Sequence, residues 1–386
     1  MTSSTITNPI FTPEAREDEF PVLRDYTYLN AAFSGPIPAR AARALAVRAE
    51  ALQYPGITRD LAEPDHEAVV RERIAGMIGA APEEIVFTSN TSQGINACAQ
   101  GITFRPGDNV VIPADDFPSL TYTWLNLRAR GVEVRIVPFA GVGPTAGELL
   151  ARADDRTRAI SCSAITWNTG WRAELEALGA GCAARGILLV VDGIQAVGAE
   201  EFDVKALRLS ALAFHSYKWL LGGFGLGVLY VAPDAVDRIA PTFVSAGAVF
   251  PSDAPADDEP YWREGAARYA LGNSNRAAFA TLAVALDLHT GLGLPAIAER
   301  NRVLAAQLYA GLRARNDLRV VSAADPARRS AITVFTTGDR ARDAAMAAQL
   351  EAQQILVSLR PLGVRVSPHF YNTEGDIARL LDTLPR

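Results

Sequence analysis

Through the middle of the chain, short apolar runs alternate with longer stretches of helical periodicity. Glu84–Phe87, Asn109–Ile112, Val132–Val137, Ala159–Ser163 and Ile187–Val191 read as strands, and Gly94–Ile102, Ser119–Arg130 and Arg172–Ala184 read as helices between them. This alternation predicts βαβ crossovers and a mostly parallel sheet covered by helices, with its ligand site at the carboxyl ends of the strands. Two helices precede it, Ala39–Gln53 and Asp65–Ile78, the second bracketed by Pro64 and Gly79. Ahead of these, a polar arm runs to about Asp18, and Tyr28, Leu29 and Asn30 lead into Ser34-Gly35-Pro36, read as an early binding loop. After Val231 the pattern changes. The acidic, proline-rich stretch Pro251–Pro260 reads as a loop. Helices near Arg276–His289 and Pro295–Arg315 follow, then strands near Leu318–Val321, Ala331–Phe335 and Ile355–Leu359 and a closing helix that Thr373 and Asp376 cap. The expected organisation is a large α/β unit over 20–260 and a smaller α+β unit made of 1–19 and 261–386.

Composition narrows the partners. The 386 residues are 49% apolar and 21% charged, as in an ordinary globular protein. A net charge of −6 with both signs interspersed gives no basic stripe for nucleic acid or an anionic membrane, so the expected partner is a small molecule. No charged n-region followed by an apolar run opens the sequence, and its longest apolar run, Trp219–Ala232, is 14 residues and glycine-rich. The expectation is a cytoplasmic protein. Cys98, Cys162 and Cys182 are too scattered for a disulfide framework or a zinc site and read as buried thiols.

The stretch Ser210–Val231 concentrates the candidate chemistry: an apolar strand, the polar turn His215-Ser216-Tyr217-Lys218, a glycine-rich hairpin and a second apolar strand. The 37 basic residues include just two lysines, Lys205 and Lys218. Arginine stays protonated, whereas a lysine desolvated in an apolar turn can lose its proton and attack a carbonyl, so Lys218 reads as an amine required for its chemistry. Three more strand ends finish on polar groups. Thr88-Ser89-Asn90-Thr91-Ser92-Gln93 opens a helix and suits a phosphate, although hydroxyl capping alone explains it equally. Asp192 closes a buried strand and needs a cation or several donors, or serves as a helix cap. Thr166-Trp167-Asn168-Thr169-Gly170 closes a third. GGFGLG leads into a strand, which excludes a dinucleotide fingerprint. Phosphate, aromatic nitrogen and aldehyde together describe pyridoxal phosphate (PLP).

VDGIQAVGA from Val191 and HSYKWLLGGFGLGV from His215, with TSNTSQGIN, DDFPSLTY, LGNSN and RVSPHFYNTEGDI, resemble the class V aminotransferase family of fold type I PLP enzymes, which includes cysteine desulfurases, kynureninases and isopenicillin N epimerase. The resemblance implies the PLP-dependent transferase fold, with a large cofactor domain and a small C-terminal domain. It implies a Schiff base on Lys218 and a ring nitrogen held protonated by Asp192. Gln195 and Thr166 are expected at the ring hydroxyl, and Phe117 against the ring. The Thr91 and Ser92 backbone, with His215 and Tyr217, is expected at the phosphate. Asn273 is expected to reach the neighbouring subunit's phosphate in a homodimer. Arg365 is expected to bind the substrate carboxylate, with Asn30 and Phe33 lining the substrate side. The implied activity proceeds through an external aldimine and a Cα carbanion, with β-elimination ahead of transamination, epimerisation or decarboxylation; a non-catalytic cofactor sensor is the reading from another class. Val357–Val364 holds no cysteine where the desulfurases carry their nucleophile, so persulfide chemistry is not expected.

Overall fold

The computed structural model describes residues 12–51, 53, 65–139, 141–249, 261–272 and 275–385. The acidic stretch Pro251–Pro260 and Asn273 lie outside the described residues. The elements used below are, in order, β1 (Thr27–Tyr28), α1 (Ala39–Ala51), α2 (His66–Ile78), β2 (Ile85–Thr88), α3 (Thr91–Gly101), β3 (Asn109–Pro113), α4 (Pro118–Leu125), β4 (Glu133–Val137), β5 (Thr157–Ser163), α5 (Leu175–Ala183), β6 (Leu188–Asp192), β7 (Ala211–His215), β8 (Gly227–Val231), α6 (Arg276–Leu292), α7 (Leu294–Arg313), β9 (Arg319–Val320), β10 (Thr333–Thr336), α8 (Arg340–Ala352), β11 (Ile355–Leu356), β12 (Ser358–Arg360), β13 (Gly363–Val366) and α9 (Glu374–Thr383).

β2-β8-β7-β6-β5-β3-β4 form one sheet. The run from β4 to β7 is parallel, and β8 pairs antiparallel with both β7 and β2. β6, β7 and β8 are buried at every residue, the signature of strands covered on both faces, which is why they read as unbroken apolar runs. The chain moves outward from β3 to β4 and then returns to the other side of β3 for β5, β6 and β7. Such a reversal opens a crevice beyond the carboxyl ends of the strands on either side of it. In register, Ser163 lies beside Asp192, and Asp192 beside Ala213. β5 and β6 thus end level with each other, and β7 runs two residues further, to His215.

The second sheet is antiparallel, β12-β13-β10-β9, and β1 pairs with β11. Leu304 and Leu308 of α7, Phe335, Val364, Val366 and Leu380 make its core. α6, which follows the 260 boundary, buries Phe279, Leu282 and Leu286 in the core of the large sheet and packs on α1 and α2. A third core joins Leu221, three residues past Lys218, to Phe20, Ala285, Phe370 and Tyr371. The lysine turn is therefore packed by residues from both ends of the chain. The capping of α9 by Thr373 and Asp376 is as the sequence predicts.

Candidate active site

Lys218 lies just beyond β7 and is buried, whereas Lys205 is on the surface 3.6 Å from Glu84. Its ammonium would meet little water and two other cations. Burial and the nearby Arg365 and Arg360 lower its pKa to about 7, against the pull of Asp192. The turn is clamped from outside by Gly35, whose N–H donates to the Tyr217 carbonyl at 2.8 Å. A Cβ at position 35 would come within 2.1 Å of the Lys218 carbonyl oxygen, so only glycine permits this approach. From the other side, the indole N–H of Trp219 donates to Gln195 Oε1 at 2.8 Å. The Trp219 carbonyl meets Nε2 of two buried histidines, His289 at 2.9 Å and His369 at 3.0 Å.

A cavity of about 540 Å³ opens beside the turn, with Thr91, Ser92, Phe117, Asp192, His215 and Tyr217 in its wall. At one end is the N-terminus of α3, where the first N–H groups of the helix have no intrahelical acceptor and the dipole is positive. Asn90 caps Gln93, and the buried hydroxyl of Thr91 has no partner. Gly94 lets α3 approach β7: a Cβ there would lie 2.8 Å from that of Ala213. His215 Nδ1 accepts the Tyr217 N–H at 3.2 Å. Burial and Lys218 lower the His215 pKa to about 4, so its ring is neutral at ordinary pH. Tyr217 stacks on Phe224 at 4.5 Å.

In the cavity wall, Asp192 accepts the Ile194 N–H at 2.9 Å. Burial, reinforced by the charge of Asp116, raises its pKa to about 7. Asp116 follows β3 and is itself buried. It accepts from Ser163 Oγ at 2.5 Å, from the Ser163 N–H at 2.9 Å and from the Phe117 N–H at 2.7 Å. It thereby ties the ends of β3 and β5 together and fixes the backbone of Phe117. The Phe117 ring lies 5.9 Å from Lys218 Nζ and edge-on to Trp167 at 5.7 Å.

The second sheet brings two arginines near Lys218. Arg365 is buried on β13, where Nη1 donates to the Trp167 carbonyl at 2.8 Å while Nε and Nη2 have no partner. Burial, with Arg360 adding repulsion, lowers its pKa to about 9. A buried guanidinium with two open donors calls for an anion. Asn30 Oδ1 accepts from Ser358 Oγ at 2.6 Å, and the Phe33 ring lies 5.5 Å from the Arg360 guanidinium. Both belong to the loop strapped along Ser367 by the Ala31 N–H at 3.0 Å.

Two expected contacts are already engaged within the protein. Gln195 accepts from Trp219 and donates to the Ala32 carbonyl at 3.0 Å, which leaves one amide N–H. Thr166 Oγ1 meets Thr169 Oγ1 at 2.6 Å and accepts the Trp171 N–H at 3.0 Å, so it closes its own turn instead of facing the cavity. Asp116, Arg360 and the histidine pair were not singled out from sequence, although DDFPSLTY, VSLRPLGV and RVSPHFYN contain three of them.

The residues present fit PLP. An open helix N-terminus with an orphaned hydroxyl suits its phosphate, a buried carboxylate with one donor suits its ring nitrogen, an aromatic face suits its ring, and a neutral amine suits its aldehyde. The chain is 29% identical to a probable cysteine desulfurase of Methanothermobacter thermautotrophicus, over 97% of each chain. It is also 29% identical to the isopenicillin N epimerase of Amycolatopsis lactamdurans, over 93% of this chain and 94% of that one. The cystine C–S lyase C-DES superposes with a TM-score of 0.86 in its complex with cysteine persulfide, at 26% identity over 95% of this chain and 100% of that one. A C-DES mutant with glycine covalently linked to its PLP cofactor gives a TM-score of 0.87 at 26% identity, over 95% of this chain and 98% of that one. Residues 65–380 match the family model of aminotransferase class-V, and the chain belongs to that family of PLP-dependent lyases and transferases.

Proposed function

We propose that the chain cleaves the C–S bond of an S-substituted cysteine by β-elimination. The observation that carries this reading is a buried amine facing an unpaired Arg365 in a site that holds no thiol. Cys98, Cys162 and Cys182 are all buried, on α3, β5 and α5, and the β12–β13 hairpin turns through Pro361 and Leu362 alone. Sulfur transfer to the protein would need a reactive thiolate in reach, and burial raises the pKa of each of these thiols. Without one, the sulfur leaves as a free thiol. The likeness to a cystine C–S lyase, whose reaction product is cysteine persulfide, supports cleavage of a C–S bond with the sulfur carried off on the leaving group.

In this reading Arg365 takes the α-carboxylate through Nε and Nη2, a geometry that a planar fork suits. The Thr91 and Ser92 backbone, with His215 and Tyr217, holds the phosphate, and the Phe117 ring lies against the cofactor ring. Asp192 faces the ring nitrogen, and its burial beside Asp116 favours its sharing a proton with that nitrogen. PLP, when bound, supplies the sink for the electron pair left at Cα. Lys218, its pKa lowered by burial and the two arginines, would take the Cα proton as the free amine. The Cβ–S bond then breaks, the thiol leaves, and water balances the products as pyruvate and ammonia. The working unit in this proposal is a cytoplasmic homodimer in which Asn273 reaches the neighbouring site. Phe224, 69% exposed beside the cavity mouth, supports a covering subunit there.

Incubation of the holoenzyme with S-ethylcysteine tests the reaction. Equal amounts of ethanethiol, pyruvate and ammonia are expected. A keto acid that keeps the thioether would mean transamination, and an unchanged but racemised amino acid would mean epimerisation; either would overturn the lyase reading.

A further inference from the structure

The hairpin that carries Arg365 carries a second arginine on the same face. β12 and β13 pair antiparallel with Ser358 opposite Arg365 and Arg360 opposite Gly363. Residues opposite each other share a face, and so do residues two apart, so Ser358, Arg360 and Arg365 point the same way. Gly363 leaves the space across from Arg360 without a side chain. The Arg360 guanidinium makes one long contact, from Nη2 to Ser358 Oγ at 3.4 Å, and its buried Nε has no partner. Among the described residues, neither Arg360 nor Arg365 has a carboxylate within ion-pair distance. Several partly buried arginines elsewhere do meet a carboxylate: Arg16 with Asp376 at 3.3 Å, Arg315 with Asp317 at 2.6 Å and Arg300 with Glu374 at 2.5 Å. Beside Lys218, by contrast, two guanidinium groups repel each other with no carboxylate between them. One α-carboxylate neutralises one of them.

We propose that Arg360, with the Phe33 ring beneath it, is a second anion subsite, so that the amino acid taken here carries a carboxylate or comparable anion at the end of its side chain. The inference rests on the reading of Arg365 as the α-carboxylate clamp. Arg365 fixes one end of the substrate, and the Cβ positions of a diagonal cross-strand pair lie about 7–8 Å apart, which a short side chain can span. The Phe33 ring, 5.5 Å from the Arg360 guanidinium, holds that group by a cation–π contact and takes the methylene groups that lead to the anion.

S-carboxymethylcysteine and S-ethylcysteine have nearly the same size and differ in the distal charge, so they serve as the probes. Titration of the holoenzyme, followed by the shift of its visible absorbance, gives a binding constant for each that does not depend on the product formed; KM for thiol release is measured beside it. The acidic conjugate is expected to bind on the order of 10- to 100-fold more tightly, the range of a hydrogen bond to a charged group. In R360Q the ratio is expected to fall to about one, and in R360K to an intermediate value because the charge remains and the fork does not. Equal binding of the two probes by the unaltered protein, or an R360Q variant that keeps the ratio, would overturn the subsite. The lyase reading fails separately: a clear acidic preference in the titration without pyruvate from either probe supports the subsite and removes β-elimination, whereas pyruvate from both without preference does the reverse.

Discussion

The two walls of the site are built by different means. On the cofactor wall, Lys218, Asp192, His215 and the Thr91 turn stand at the ends of the large sheet's strands or at a helix mouth packed on it, each positioned by backbone that is buried on both faces. Polar neighbours there are mostly engaged by the protein, as with Asp116, Gln195 and Trp219. On the substrate wall, Arg365 and Arg360 project from a short hairpin, and their donors are left open. One wall is a finished socket for a single permanent guest. In the proposed assignment the other is a charged surface that the arriving amino acid completes.

The sharpest way to break this contrast is to remove the amine. Lys218→Ala is expected to lower kcat by about 10⁴-fold or more, since both the covalent attachment and the proton transfer go. Wild-type turnover in steady-state assays of that variant would remove the lysine from the account. Asp192→Asn should lower kcat roughly 10³-fold with a smaller change in KM, because it removes charge that matters most as electrons leave Cα. Arg365→Gln tests the opposite wall and should act on KM, with kcat/KM falling about 10²-fold. If Asp192→Asn moved KM alone and Arg365→Gln moved kcat alone, the assignment of the walls would be reversed.

A gentler test uses pH. The Lys218 pKa is lowered from 10.5 to about 7 by burial, Arg365 and Arg360, so the amine is mostly protonated at pH 6 and mostly free at pH 8. The rate at which the cofactor-free protein captures added PLP should rise about tenfold across that interval and then level off. A rate still climbing through pH 9 would mean an unperturbed lysine. The smallest effect expected is at the histidine pair. His289→Asn and His369→Asn each loosen the Trp219–Leu220 peptide that follows Lys218, and a few-fold loss in kcat with KM retained is expected for each. Loss of folding alone would instead reduce the fraction of titratable sites and leave kcat per site unchanged.

The cofactor wall was legible in the sequence because each of its groups ends an unbroken apolar run, where one polar side chain is conspicuous. Lys218 gained from being one of two lysines. The roles of Gln195 and Thr166 were less legible, since their partners Trp219, Ala32, Thr169 and Trp171 depend on how loops fold back on themselves. Asp116 resembled an ordinary loop acid next to Asp115. Only the folded strand ends put Ser163 against it. His289 and His369 share one acceptor, the Trp219 carbonyl, a contact between distant segments that no local pattern reveals. Arg360 depended on hairpin register, which a shift of one residue would have turned to the opposite face.

The most direct test of the central claim is borohydride reduction of the PLP-loaded protein, followed by digestion and mass measurement of the peptides. Two lysines make the outcome unambiguous. A reduced pyridoxyl group on the peptide that contains Lys218, with Lys205 unmodified, is the result predicted here. Modification of Lys205, or of neither lysine, would contradict it.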